Sequence, residues 1–226
     1  MRTAIQAREM SNLIRALTLH FESTEAESDF RRQISKKGIP IARWGLVAGS
    51  LGFAFAGVVS LLFSPTMYMV MFYWCVPVSL ATLLATWTAA ADRWFQWIGL
   101  GFCTFGLGGG TALLIAVEQT PNLTINSGLI VFQIFCINAF AGLLVPYAML
   151  ATTIYVATVS IAIVVHDSIP TEDGLAIMIL AFGSVLLASA ISRVMEQQRR
   201  SEYGRLQKAL EDKDATEKIL HHTLPQ

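Results

Sequence analysis

What this 226-residue sequence lacks through most of its length is charge. From Trp44 to Ser192 only six residues are charged: Asp92, Arg93, Glu118, Asp167, Glu172 and Asp173. Over the whole chain 16 Lys/Arg balance 16 Asp/Glu, and charged residues make up 14%, against about 25% in an average soluble domain. A fold in water cannot present so much uncharged chain, which excludes a soluble globule. A net charge of zero also excludes a nucleic-acid binder, which needs a basic surface. Cysteine is scarce. Cys75, Cys103 and Cys136 are odd in number and lie inside apolar runs, without metal-site or disulfide-framework spacing, so they read as small buried hydrophobes. The four histidines, His20, His166, His221 and His222, form no ligand set. Adjacent residues on a helix diverge by about 100°, so His221 and His222 cannot chelate one ion from one face.

What is present is long apolar sequence. A bilayer core needs about 20 apolar helical residues, and the first run is too long for a signal-peptide core. Six spans are expected, at residues 41–63, 67–91, 94–117, 128–144, 147–165 and 174–191. The breaks fall at Ser64-Pro65-Thr66, Asp92-Arg93, the polar stretch after Glu118, Pro146 and the loop 166–173. The fourth span is short and carries Gln133 and Asn138. The fold class is therefore all-α, a polytopic membrane protein. Its expected domains are an amphipathic cytoplasmic arm (1–37), a six-helix transmembrane domain (38–192) and a cytoplasmic signalling and dimerisation helix (193–226).

Charge placement orients the chain. Eight Lys/Arg lie in residues 1–43, seven in 193–226, and only Arg93 lies between. By the positive-inside rule both termini face the cytoplasm of a multi-pass protein in the inner (plasma) membrane. Trp94 and Trp97 beside Arg93 suit an interfacial belt. Beyond Arg43 at the start of the first span, no Asp, Glu, Lys, Arg or His stands at membrane depth, so ion-coupled transport is weakly motivated. Asn138 reads as an interhelical hydrogen-bonding residue. The run from Gly106 to Thr111 lacks the lysine of a phosphate-binding loop. Gly106 and Gly110, like Gly45 and Gly49, instead form GxxxG faces for transmembrane helix packing. Pro77 is expected to kink the second span.

The arms carry the remaining pattern. Ile5, Leu13, Leu17 and Phe21 share one face of the amino-terminal arm, suited to a membrane surface or another helix. Arg31, Arg32, Lys36 and Lys37 then meet the headgroup region. After residue 174 only Gly204 argues against a helix continuing into the cytoplasm. Tyr203, Leu206, Leu210, Lys213, Glu217, Leu220 and Leu224 recur at alternating steps of three and four, a coiled-coil seam with a polar break. Pro225 ends it. No residue here is catalytic, and the segment reads as a receptor half whose output domain lies beyond it.

The six spans, the amphipathic arm and the closing run Glu217-Lys218-Ile219-Leu220-His221-His222-Thr223-Leu224-Pro225 resemble the membrane domains of bacterial class III adenylate cyclases. The family's transducer element would correspond to residues 207–224, matched at Leu220, Leu224 and Pro225. The resemblance implies a homodimer that anchors and regulates a carboxy-terminal catalytic domain. That domain, a lyase making cyclic AMP from ATP with Mg or Mn, lies outside this chain, which holds no catalytic, cofactor or metal residue of its own. Membrane lipids and a small or lipidic ligand are the other expected partners. The alternatives are a six-helix sensor for a diguanylate cyclase or histidine kinase, or a small transporter or channel.

Overall fold

A computed structural model describes residues 21, 23–62, 65–88, 90–117, 123–140 and 142–223, excluding the side chains of 65, 123–126, 139–140 and 217–223. Every regular element among them is helical. Helix α1 spans Thr24–Ser60. Its first turn is capped by Ser23, whose Oγ accepts the Ala26 N–H at 3.3 Å, and carries Glu25 and Glu27 toward the positive end of the dipole. Pro40 lies inside α1 without ending it, so the arm expected as a separate element joins the first apolar rod.

The next rod is α2 (Pro65–Val70), a π-helical turn (Met71–Cys75) and α3 (Val76–Ala85). Proline at position 77 offers no N–H to the turn before it. Here that turn widens, and the Val76 N–H bonds Met71 O, five residues back. A third rod joins α4 (Ala91–Gly101), a π-helical stretch (Phe102–Gly108) and α5 (Gly109–Val117). Then come α6 (Leu123–Phe135) with its π-helical end (Cys136–Phe140), α7 (Val145–Val165) and α8 (Thr171–Thr223).

Five helices are long and apolar enough to cross a membrane: Thr24–Ser60, Thr66–Ala85, Ala91–Val117, Val145–Val165 and Thr171–Thr216. The segment expected as the fourth span is different. Its helix, Leu123–Phe135 with the π-helical turn Cys136–Phe140, is not among these five, and Gly142, where φ is +67°, leads into extended chain through Leu144. Pro146 then stands in the first turn of α7, where its missing N–H is harmless.

The chain forms two compact units. In the larger, Arg31–Ser192, α7 is the central rod. Ala148, Ala151, Tyr155, Val159 and Ile163 pack with Cys103 and Ile115 of the third rod, Ile130, Ile134 and Ile137 of α6 and its end, and Ile177, Ala181 and Ala188 of α8. Directions follow from the contacts. The ends of α5 and α7 flank one groove of about 960 Å³, Ala116 and Val117 facing Val165 and His166, so these rods run parallel. At their other ends Gln96 of α4 bonds the extended residues before α7. Segment α6 therefore returns the chain from one end of this unit to the other.

Gln96 explains how that extended stretch is held. Its Oε1 accepts the Leu144 N–H at 2.9 Å and its Nε2 donates to Gly142 O at a long 3.5 Å. Leu143, Leu144 and Val145 are buried, and non-helical backbone at that depth needs such partners. Arg43 performs a related task at the end of α3. It donates to Thr86 O, stacks over Trp87 at 5.1 Å and places positive charge at a helix C-terminus. Replacing Gln96 by leucine keeps the volume and removes both bonds, at a cost of about 1–3 kcal/mol for each backbone group left unpaired. The expected outcome is a thermal midpoint several degrees lower for the detergent-purified protein, and an unchanged midpoint would contradict this role.

Candidate functional site

The second unit joins the residues up to Phe30 with those from Arg193 onward, and its centre is a guanidinium. Arg200 projects from α8 and is 8% exposed. Its Nη1 donates to Glu27 Oε2 at 2.7 Å and its Nη2 to Glu27 Oε1 at 3.3 Å. From one turn earlier on α8, Glu196 Oε1 accepts Nε at 2.9 Å and Nη2 at 2.7 Å. Glu27 Oε2 also accepts the Phe21 N–H at 3.2 Å. Burial alone would pull the Arg200 pKa down. The hydrogen bonds and charges of Glu27 and Glu196 more than offset it and hold the group above its ordinary value.

Aromatic rings close the box. The Arg200 guanidinium lies 4.4 Å from the Phe30 ring centre and 5.2 Å from that of Phe21, cation–π geometry that strengthens on removal of water. Phe21, Phe30 and Tyr203 form a triangle with centroid separations of 5.4, 5.6 and 5.5 Å. An arginine is favoured over lysine here because its planar fork bonds two carboxylates while its face rests on rings.

The structure divides the residues expected in the seam. Tyr203, expected to open a pairing stripe, packs on Phe21 and Phe30 of its own chain and accepts a hydrogen bond from Gln207. Leu206 and Leu210 stand 48% and 54% exposed. Leu220 lies on α8, but its side chain, like Leu224, Pro225, Ile5, Leu13 and Leu17, falls outside the described residues. Along α8 a single face is buried at Ile177, Ala181, Ser184, Ala188, Ser192, Glu196 and Arg200, three or four residues apart. That stripe turns from small and apolar to charged at the end of the apolar sequence.

The glycine faces also divide. A Cβ on Gly106 would lie 3.1 Å from Val78, and one on Gly110 3.1 Å from Cys75 Sγ, so both sit against the second rod. Trp74 reaches the same place, over Gly109 and Gly110, and its Nε1 donates to Phe105 O at 3.2 Å. Gly45 and Gly49 are otherwise: a Cβ on either meets nothing within 4 Å. Among the described residues nothing packs against either position.

Inside the larger unit two polar sets join the helices. Gln133 Oε1 accepts from Thr111 Oγ1 at 2.8 Å and from the Tyr155 hydroxyl at 2.5 Å. Asn138 donates to Thr152 Oγ1 at 2.8 Å and to Ile134 O at 2.9 Å. Asn138 thus makes the interhelical bond its sequence position suggests. Among the described residues no group of three or more His, Cys, Asp or Glu is placed to hold a metal ion. Gln96 and the Arg200–Glu27 pair escaped sequence reading, since nothing local to either residue marks a partner over forty positions away.

Comparison with family models, curated proteins and solved structures finds no match to this chain.

Arg200→Met should loosen the arm unit strongly, since removing one partner of a buried ion pair costs about 3–5 kcal/mol. Backbone amides around residues 24–30 should exchange with deuterium much faster, while those of α7 keep their protection. Equal exchange in both proteins would contradict the role given to Arg200.

Proposed function

We propose that this chain is the membrane anchor and receptor-like regulatory domain of a nucleotide cyclase, pairing with a second copy and passing the state of the membrane to a downstream catalytic domain that makes cyclic AMP from ATP. The observation that carries the reading is α8, one helix over Thr171–Thr223. It begins in sequence fit for lipid and ends in a polar arm with Leu206 and Leu210 exposed. At about 1.5 Å per residue it is long enough to cross a bilayer and reach well beyond it. Mg or Mn and ATP belong to the catalytic domain. The lipids, and a small or lipidic ligand bound among the helices, belong to this one.

Six crossings, with both termini in the cytoplasm, complete the reading. The meeting of Glu27 and Arg200 in one unit supports a route in which the chain between them leaves one side of the membrane and returns to it. Five long helices alone would leave the arms on opposite sides, so α6 and its π-helical end supply the remaining pass. Two features support this: Gln133 and Asn138 bond partners on other helices, and Gln96 holds the extended stretch that follows. Partners of this kind for polar groups are what chain inside a bilayer calls for. Arg43 and Arg93 beside the tryptophans mark the cytoplasmic end; Asp167, Glu172 and Asp173 mark the outer one.

The mechanism is geometric. A shift of α8 within the six-helix domain rotates or translates the paired arms and changes how two catalytic domains meet. A few kcal/mol redistributes such a two-state pair. A diguanylate cyclase or histidine kinase output would use the same lever. Fusing a homodimeric class III catalytic domain after Gln226 should raise cyclase activity roughly tenfold or more over the free domain at equal low concentration, through effective concentration. Two residues inserted after Glu211 rotate the downstream helix by about 200° and should abolish the gain, whereas seven, close to two turns, should restore it. Equal activity for all inserts, or no gain over the free domain, would contradict the proposal.

A further inference from the structure

We infer that the amino-terminal segment 21–30 and a second copy of this chain compete for one face of the carboxy-terminal helix, so that the Arg200 box sets how far the paired helices close. The inference rests on the proposed pairing of those helices. Three observations within the arm unit carry it. Tyr203, Leu206 and Leu210 follow one another at steps of three and four, so they lie on one stripe of α8. The stripe is unequally available: Leu206 and Leu210 are exposed, whereas Tyr203 is covered by Phe21 and Phe30, with ring centres 5.6 and 5.5 Å away. What holds the cover is adjacent, because Glu27 lies between those two phenylalanines in sequence and binds Arg200, one turn from Tyr203.

With the box closed, helices from two chains can pair from Leu206 onward, but the stretch around residues 196–203 is occupied. With the box open, Tyr203 and the positions before it become available and the pair can lengthen by one heptad toward the membrane. Displacement of the amino-terminal segment and lengthening of the pair are then linked, each favouring the other to the same extent. The segment acts as an autoinhibitory strap on the transmitting helix. Arg200 and Glu27 are positioning residues in this device, acting through where the rings sit.

The test uses single cysteines in the full chain, with Cys75, Cys103 and Cys136 replaced by alanine, oxidised in native membranes. Leu206→Cys reports the pairing itself. Arg199→Cys lies one heptad earlier and reports the lengthened pair. Closed boxes should give efficient dimer formation through position 206 and little through 199. Adding Glu27→Arg should raise dimer formation through 199 by roughly fivefold or more, the scale of a typical coupling between sites. Restoring opposite charges with Glu27→Arg plus Arg200→Glu should return it toward the low value, which unfolding of the arm would not do.

Equal crosslinking at 199 and 206 with the box intact would overturn the inference. So would a response at 199 that is absent in Glu27→Arg, or that persists in the charge-exchanged pair. Failure of position 206 to crosslink in every background would remove the pairing reading, and the competition with it. Crosslinking at 206 with an unresponsive 199 would remove the competition alone.

Discussion

A buried guanidinium must have partners, and the partners of Arg200 come from both ends of the chain. Glu196 is one turn away, but Glu27 is 173 residues distant. An arginine left in an apolar box without its carboxylates would be strongly unfavourable. The pair therefore constrains everything between them: whatever route the intervening chain takes, it returns to the place it left. In the proposed reading, where the middle of the chain lies in lipid, that constraint calls for an even number of crossings, with α6 as the remaining pass.

The same requirement shapes the interior of the larger unit. Lipid offers no water to an unpaired backbone or amide group, and several polar groups here are met by side chains from another rod. Gln96 serves the extended residues before α7, and Gln133 joins α5 to α7 through Thr111 and Tyr155. Asn138 ties the π-helical end of α6 to Thr152. Interhelical bonds of this kind average about 0.6 kcal/mol in membrane proteins, so their value is positional more than energetic. They fix how the rods register, while close packing at Gly106 and Gly110 brings the second and third rods together.

Much of this was legible before any coordinates. The scarcity of charge between Trp44 and Ser192 and the proline and glycine breaks locate five rods and the all-helical class. The segment 128–144 was less legible, because the extended residues that follow its helix are held from elsewhere, by Gln96. Tyr203 looked like a pairing residue, since an aromatic at a seam position has the same local signature whether its neighbour is another copy or Phe21. Arg200 counted only among the topogenic Lys/Arg, and Glu27 carried no reading of its own. Periodicity describes which side of a helix is apolar; it is silent on which distant segment comes to cover it. Gly45 and Gly49 show the converse, a packing motif with no partner among the described residues.

The arrangement of the two arms is most directly tested by their sidedness. Single cysteines at Ser28 and Ser201, both exposed, can be challenged with a membrane-impermeant maleimide in sealed vesicles of known orientation. Both should react from one and the same face, that of the cytoplasm, and both should be silent from the other. Reaction of one from each face would separate Glu27 from Arg200 by the thickness of the bilayer and contradict the even number of crossings.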